Sequence, residues 1–421
     1  MKTRELSNIA EITLSGIDKK TKTGQKIIKL CNFTDVYYNW DLTNVEQQHF
    51  MQASASDKEI QELSLKRGDV CITKDSETRD DIGISCLISD DLSNTVLGYH
   101  CALIRPNENI VLGSYLNAFL KTKVARKYFS NQSSGSGQRY TLTKEGIGAV
   151  KITFPDLPQQ LYISTLFDNI CKKIRINNQI NDNLQQVILT IFNRWFNQFE
   201  FDLEEGKTYS SSRRNFVFNS ILKKEIPEGW IVENIAQNKL SSLIDVGVDY
   251  FTSKNYIATA NVNGTMIQDG NDVTYENRES RANMQPSLNS IWFAKMKNSV
   301  KHIFISSNSQ WFLDKYILST GFCGIKCTEL SFPYIASVIM QPYFEAAKDK
   351  MAHGATQQAV NNEDLKNIPL LVPSDEVLQK YSKIVLPIFK KMNEIQLENQ
   401  KLMALRDNLL PLLMNGQVTI R

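Results

Sequence analysis

The chain has 421 residues, a formal net charge of +3, and 42% hydrophobic against 22% charged residues. That length exceeds one ordinary core and calls for two to three domains, and the composition excludes a fibrous or intrinsically disordered chain. A pI of about 8.3 permits a nucleic-acid partner without arguing for one.

In chain order, the first segment runs to about Pro155. Lys26–Leu30 is a strand candidate. Leu65–Thr73 reads as a turn at Gly68-Asp69 entering a half-buried strand, and Ile82–Ile88 alternates next. Leu112 to Phe129 carries Leu116, Phe119, Leu120, Val124 and Tyr128 at a helical period, and Gln132–Gly137 follows as a polar, glycine-rich loop. Pro158 to about Phe199 then places Ile163, Leu166, Ile170, Ile180, Leu184, Val187 and Ile191 on an interrupted heptad seam, with Asn177 and Lys173 at two seam positions.

The polar stretch Phe201 to Lys224 reads as a linker. Ile226-Pro227-Glu228-Gly229-Trp230 opens a second segment whose signals recur in the same order. Tyr256–Val262 matches the early strand, Ser290–Lys295 the strand ending near Lys74, Pro333–Met351 the helix, and Ala352–Thr356 the loop. Ser374 to about Met414 gives a second long helix with Ile384, Ile388, Ile395, Leu402, Leu405, Leu409 and Leu412 on its seam, and Asn415-Gly416 stops it.

The chain is thus written twice in rough form, at an offset of 218 residues near its best-matched parts. Ile147, Ile152 and Pro155 land on Leu365, Leu370 and Pro373. Each long helix of about 40 residues spans roughly 60 Å, more than the diameter of a domain of this size, so the two are expected to pair. The expected architecture is α/β (α+β). It has a domain over 1–155, a long helix over 156–200, a linker over 201–225, a second domain over 226–373, and a second long helix and tail over 374–421. The two helices would form an antiparallel coiled coil.

Chemistry is sparse. Cysteines 31, 71, 86, 101, 171, 323 and 327 form no paired ladder, so reduced thiols are expected rather than disulfides or zinc. The start, Met1-Lys2-Thr3-Arg4, leads into polar sequence, and the most apolar stretch, Tyr334–Met340, is too short for a membrane span. A reducing cytoplasm fits both, with no membrane partner. The four histidines, 49, 100, 302 and 353, lack metal spacing. The chain carries no phosphate-binding Gly-x-x-x-x-Gly-Lys-Ser/Thr loop, no Gly-x-Ser-x-Gly elbow and no Asn/Asp-Pro-Pro-Tyr/Phe methyltransferase signature. A binder is expected, not an enzyme.

Three stretches now combine with the repeat. They are Ile226–Trp230, Gly354–Gln358 running into Leu365–Pro373, and Leu405-Arg406-Asp407-Asn408-Leu409-Leu410-Pro411 running on to Val418. Together they resemble the specificity subunit of type I restriction–modification systems over nearly the whole chain. The first copy departs from the second, with Ser136-Gly137-Gln138-Arg139-Tyr140 against Gly354-Ala355-Thr356-Gln357-Gln358. The resemblance implies two target-recognition domains, each reading one half of a split, asymmetric site on double-stranded DNA. The paired helices would be a spacer that also docks two modification subunits, the adenine methyltransferases, and a restriction subunit in some systems. No cofactor is expected in this chain; S-adenosylmethionine, ATP and magnesium would sit on the partners.

Phosphate contacts need cations and small polar loops, and base readout needs Arg, Asn, Gln or Lys at groove edges. The two equivalent loops supply the first candidates: Ser133, Ser134, Gly135, Ser136, Gly137, Gln138 and Arg139, and Lys350, His353, Gly354, Ala355, Thr356 and Gln357. Lys74 and Lys295, at the ends of equivalent strands, and Arg79 complete the expected DNA-binding set, with Asn255, Arg278 and Arg281 as further base-reading candidates. The rival reading is a coiled-coil protein scaffold or adaptor without DNA binding, which the modest net charge favours. An enzyme of unfamiliar chemistry comes third.

Overall fold

The structure, a computed structural model, describes residues 1–136, 139–204, 207–211, 215–354 and 357–414. The chain divides into two units, Met1–Arg175 with Lys401–Arg421, and Ile176–Gln400. The division falls inside both long helices.

In unit 1 the central sheet has the strand order Ala10–Leu14, Cys101–Pro106, Val70–Thr73, Ser85–Ile88, Asp41–Leu42. A second sheet sets Lys26–Cys31 antiparallel to Met51–Ala55 and parallel to Thr95–Leu97. Strands expose alternate residues to opposite faces. Val70, Ile72, Ala102 and Ile104 therefore enter one core, with the helices, while Cys71, Cys86, Cys101 and Leu103 enter another, beneath the second sheet. The strand after Gly68 is wholly buried for that reason, and not half-buried as its sequence suggests. Gly68, at φ +90, makes the turn before it.

Unit 2 repeats this frame. Its sheet order is Ser241–Leu243, Phe322–Cys327, Ser290–Ala294, His302–Ile305. Lys254–Ile257 lies antiparallel to Asn271–Val273 and parallel to Tyr316–Ser319. Ile291 and Phe293 face the helix-side core, and Trp292 and Ala294 the other. In each unit the strand that opens the repeated frame closes on the last. Lys2–Glu5 pairs with Lys151–Phe154, and Ile231–Asn234 pairs with Pro369–Val372. The amides of Leu6 and Ile235 each donate to the next carbonyl along, Val150 and Ile368, both at 3.0 Å.

The helix expected over 112–129 is two helices, α1 (Gly113–Leu120) and α2 (Lys123–Gln132). Thr122 breaks it, its side chain capping the Ala125 amide. Unit 2 breaks at the same place, between α4 (Phe332–Ile339) and α5 (Pro342–Met351), where a proline starts the second helix.

The long helices are α3 (Leu157–Phe192), continued by a π-helical turn over Asn193–Asn197, and α6 (Asp375–Met414). They meet within each unit. In unit 1, Ile163 and Phe167 share a core with Leu410, Leu413 and Met414. In unit 2, the Asn177 amide, 1% exposed, donates to Glu398 Oε2 and Asn399 Oδ1, each at 2.8 Å, and the Asn399 amide returns a bond to Asn178 at 2.9 Å. Farther along, Trp195 and Phe196 pack on Tyr381, so α3 and α6 run antiparallel in this unit.

The seam differs from the expected one. On α3 the expected row of Ile163, Ile170, Asn177, Leu184 and Ile191 faces inward, but its companions are Phe167 and Ile188, and Ile180 and Val187 are exposed. On α6 Ile395 is buried as expected, but most of the buried row, Val385, Phe389, Met392, Asn399, Leu410 and Leu413, falls beside the apolar positions expected, and Ile384, Leu405 and Leu412 are exposed. The seam buries asparagines, which an apolar count passes over. The stop at Asn415-Gly416 lies outside the described residues.

The stretch expected as a linker is not a solvated tether in its described part. Phe201 and Tyr209 are buried, Phe201 stacks on Trp230 at 5.5 Å, and Phe216–Asn219 pairs with Lys224–Pro227. Aromatic burial overrides the polar composition between these residues.

Candidate nucleic-acid interface

The two glycine-rich loops are hairpins docked on the same strand end of each unit. In unit 1, Ser134–Ser136 pairs with Arg139–Thr141, which pairs in turn with Asp75-Ser76. The Leu142 amide donates to the Lys74 carbonyl at 2.8 Å, and the Lys74 amide to His100 at 2.9 Å. In unit 2, His353 bridges Ala359, which bridges Met296. The Val360 amide donates to Lys295 at 3.1 Å, and Lys295 to Gly321 at 3.0 Å. Each hairpin closes on a glycine: a Cβ on Gly135 (φ +150) would lie 2.0 Å from the Arg139 carbonyl oxygen, and one on Gly354 (φ +133) 2.5 Å from that of Gln357. The matched glycine of the first copy is therefore Gly135.

The chemistry on this common frame differs. In unit 1, Asp75 is the hub. Its carboxylate lies 3.2 Å from Lys74 Nζ, 2.9 Å from His100 Nδ1 and 3.2 Å from Arg139 Nη2, and accepts from Thr141 Oγ1 at 2.7 Å. Burial pushes this carboxyl up, but the bonds from His100 and Thr141 and the Lys74 charge outweigh it and hold it at about 2. Lys74 is only 7% exposed and lies over the Tyr99 ring. It is a buried counter-ion here rather than the exposed cation its strand-end position suggested. Arg139 is half exposed, and Arg79 lies exposed over the Tyr140 ring. Ser133 is buried and donates to the Ser130 carbonyl, which makes it a helix-end residue, whereas Ser134 is exposed.

At the matching place in unit 2 stands Met296, not an acid. Lys297 Nζ donates to Gln358 Oε1 at 2.8 Å. Lys295 is half-buried, and Lys350, His353, Gly354 and Gln357 are exposed, with His353 Nδ1 3.3 Å from Asp364. Beneath the strand end Lys348, fully buried, donates to the carbonyls of Ala294 and Ser299 and pairs with Glu345 at 2.5 Å. Asn255 is buried, bonded to Asp272 and Gly270. It shapes a strand and is not placed to read a base. Gly137, Gln138, Ala355 and Thr356 lie outside the described residues.

The same sheet ends carry residues that the sequence did not single out. In unit 1 the loop after Ala10–Leu14 holds exposed Lys19, Lys20 and Lys22, and the Tyr99 amide ties its start to this end by donating to the Ile17 carbonyl at 2.9 Å. In unit 2 the corresponding loop holds Tyr250, beside Tyr275 and Arg278. The Ile-Asp pairs 17-18 and 244-245, which start both loops, were the available signal. Exposed lysines and glycine-tight hairpins suit phosphate contact; Arg139, Lys297, Gln357 and Arg278 suit base edges. Among the described residues no cluster of histidine, cysteine or acidic residues could hold a metal ion, and no helix is long and apolar enough to cross a membrane.

Comparison with known proteins gives one consistent result. Residues 1–186 match the family model described as the type I restriction modification DNA specificity domain. The type I restriction enzyme HindI specificity subunit of Haemophilus influenzae is 23% identical over 84% of this chain and 87% of its own length. The MjaIX specificity subunit of Methanocaldococcus jannaschii is 24% identical over 90% of this chain and 85% of its own. A crystal structure of a type I restriction–modification S subunit from M. genitalium aligns over 98% of this chain and 95% of that one, at 13% identity and a TM-score of 0.45.

Proposed function

We infer that this chain, a member of the family of type I restriction–modification specificity subunits, recognises DNA sequence and does so with the hairpin-bearing sheet end of each unit. The observation that carries the reading is the pair of equivalent hairpins, each with a glycine, Gly135 or Gly354, where its backbone approaches most closely, set on one frame but surrounded by different side chains. A common frame with divergent loops is what two readers of two different short sequences require. The chain is the sequence-reading component and not the catalyst.

The finer reading follows from that one. Each unit takes one half of a bipartite, asymmetric duplex site, and α3 with α6 is the spacer that sets the gap. Two modification subunits dock on the chain, bring S-adenosylmethionine, and methylate adenine in each half-site. In some systems of this family a restriction subunit using ATP and magnesium joins the same assembly. The partners place the chain in the cytoplasm.

Mapping methylated adenines in the genome that encodes this chain tests the proposal. The expected result is a motif of two short, unlike halves separated by a fixed gap, lost when the coding sequence is deleted. A continuous motif would overturn the two-unit reading. The scaffold alternative predicts no motif and no methyltransferase in purified assemblies.

A further inference from the structure

Tyr250 is 72% exposed, yet it does not stand alone. Its ring packs on Tyr275 at 5.5 Å, Tyr275 packs edge-on against the buried Phe251 at 6.0 Å, and the Arg278 guanidinium lies 4.0 Å from the Tyr275 centroid. Lys254 approaches the far side of the group, over Phe251 at 5.9 Å. The column sits at the hairpin end of unit 2, because Thr320 donates to the Arg281 carbonyl at 2.8 Å and Gly321 accepts from Lys295.

Scattered single exposed aromatics are ordinary on protein surfaces. A ring held on a pre-stacked aromatic–arginine column is different, since its partner loses little freedom by adding one more flat ring. Around it the cations Arg278, Arg281 and Lys254 are matched by the acids Asp249, Glu276 and Glu279, so what the column offers is a flat ring face backed by a guanidinium, which suits stacking on a nucleobase. The matching loop of unit 1 has Lys19, Lys20 and Lys22 and no aromatic residue, so the feature is not part of the shared frame. We propose that Tyr250, backed by Tyr275 and Arg278, is a wedge that stacks on a base at a partly opened step of the half-site read by unit 2, an inference that rests on the DNA-recognition reading above. Pyrimidine–purine steps open most readily, so the half-site of unit 2 contains one.

The test uses the full chain assembled with its modification subunits and a duplex carrying the mapped motif, with 2-aminopurine placed at each position of both half-sites in turn. Binding should raise the fluorescence at one position other than the methylated adenine. Tyr250→Phe keeps that signal. Tyr250→Ala loses it and weakens binding about 5- to 100-fold, with unchanged melting of the free protein. Wild-type affinity for Tyr250→Ala, or no perturbed position in the wild type, overturns the wedge while leaving sequence recognition intact. If the wild-type assembly fails to prefer the motif over a scrambled duplex, the underlying reading falls, and the wedge with it.

Discussion

Replacing Asp75 with asparagine should loosen the unit 1 hairpin more than any surface substitution beside it. The Asp75 side chain is 6% exposed and meets Lys74, His100, Arg139 and Thr141. Its carboxyl is held at about 2 against an ordinary 3.8, which at 1.36 kcal/mol per tenfold is about 2 kcal/mol in favour of the charged, folded form. Asparagine keeps the shape and can still accept from Thr141, but it leaves the buried Lys74 ammonium without an anion. Breaking a buried pair costs about 3–5 kcal/mol, and the half-exposed Arg139 adds little. The expected loss lies between these figures, about 2–5 kcal/mol at pH 7. Urea unfolding reads it, resolved to this unit by hydrogen exchange of peptides spanning residues 70–142. The sign with pH follows from the depressed folded pKa: the contribution is complete above about pH 4 and fades as pH falls from there towards 2. The gap between wild type and Asp75→Asn should therefore narrow on acidification. A gap below about 0.5 kcal/mol at pH 7, or one that stays constant down to pH 3, would refute the argument.

Changing Lys19, Lys20 and Lys22 together to glutamine should weaken DNA binding without unfolding unit 1, and should flatten the dependence of log affinity on log salt by up to about 2.7, at about 0.9 per phosphate contact; an unchanged slope removes the loop from the interface. Asn177→Leu alone strands the buried Asn399 side-chain oxygen and should cost about 1–3 kcal/mol, whereas Asn177→Leu with Asn399→Leu should recover most of it, so a double-mutant cycle showing no coupling would sink the seam assignment. Gly354→Ala forces a Cβ to within 2.5 Å of the Gln357 carbonyl at φ +133 and should cost about 1–3 kcal/mol, seen as faster exchange of the Val360 amide while the Leu142 amide of the other unit keeps its rate.

The duplicated frame was legible because it is written in strongly patterned residues. The apolar runs around Ile152 and Leu370, the prolines that follow and the long helices all recur at nearly one offset. The seam was half legible. Its Ile163, Ile170 and Leu184 row is apolar, but the register depends on the buried Asn177–Asn399 pair, which apolar counting treats as a gap. The stretch around Tyr209 misled because polar serines lie beside aromatic residues that join Trp195 and Trp230 in one cluster, a contact between distant positions with no local period. At the site, Lys74 reads as a free strand-end cation until His100 and Arg139, from two other parts of the chain, converge with it on Asp75. The lysines at 19, 20 and 22 were passed over for the same reason. What brings them to the hairpin end is the backbone bond between Tyr99 and Ile17, residues far apart in the chain.

The contrast between the two units bears on the target itself. If both half-sites had the same sequence, the residues at matching places on the two frames would need matching chemistry. They do not match. Asp75 faces Thr141 where Met296 faces Ala359, and a lysine loop stands where unit 2 has an aromatic column. Phosphate contacts could tolerate such divergence, since every sequence offers the same backbone. The Arg139 guanidinium could not, because its direction is fixed by an acid that unit 2 lacks. On the proposed reading the two units therefore take unlike half-sites, and a methylated motif with palindromic halves would contradict the assignment of these hairpins as the readers.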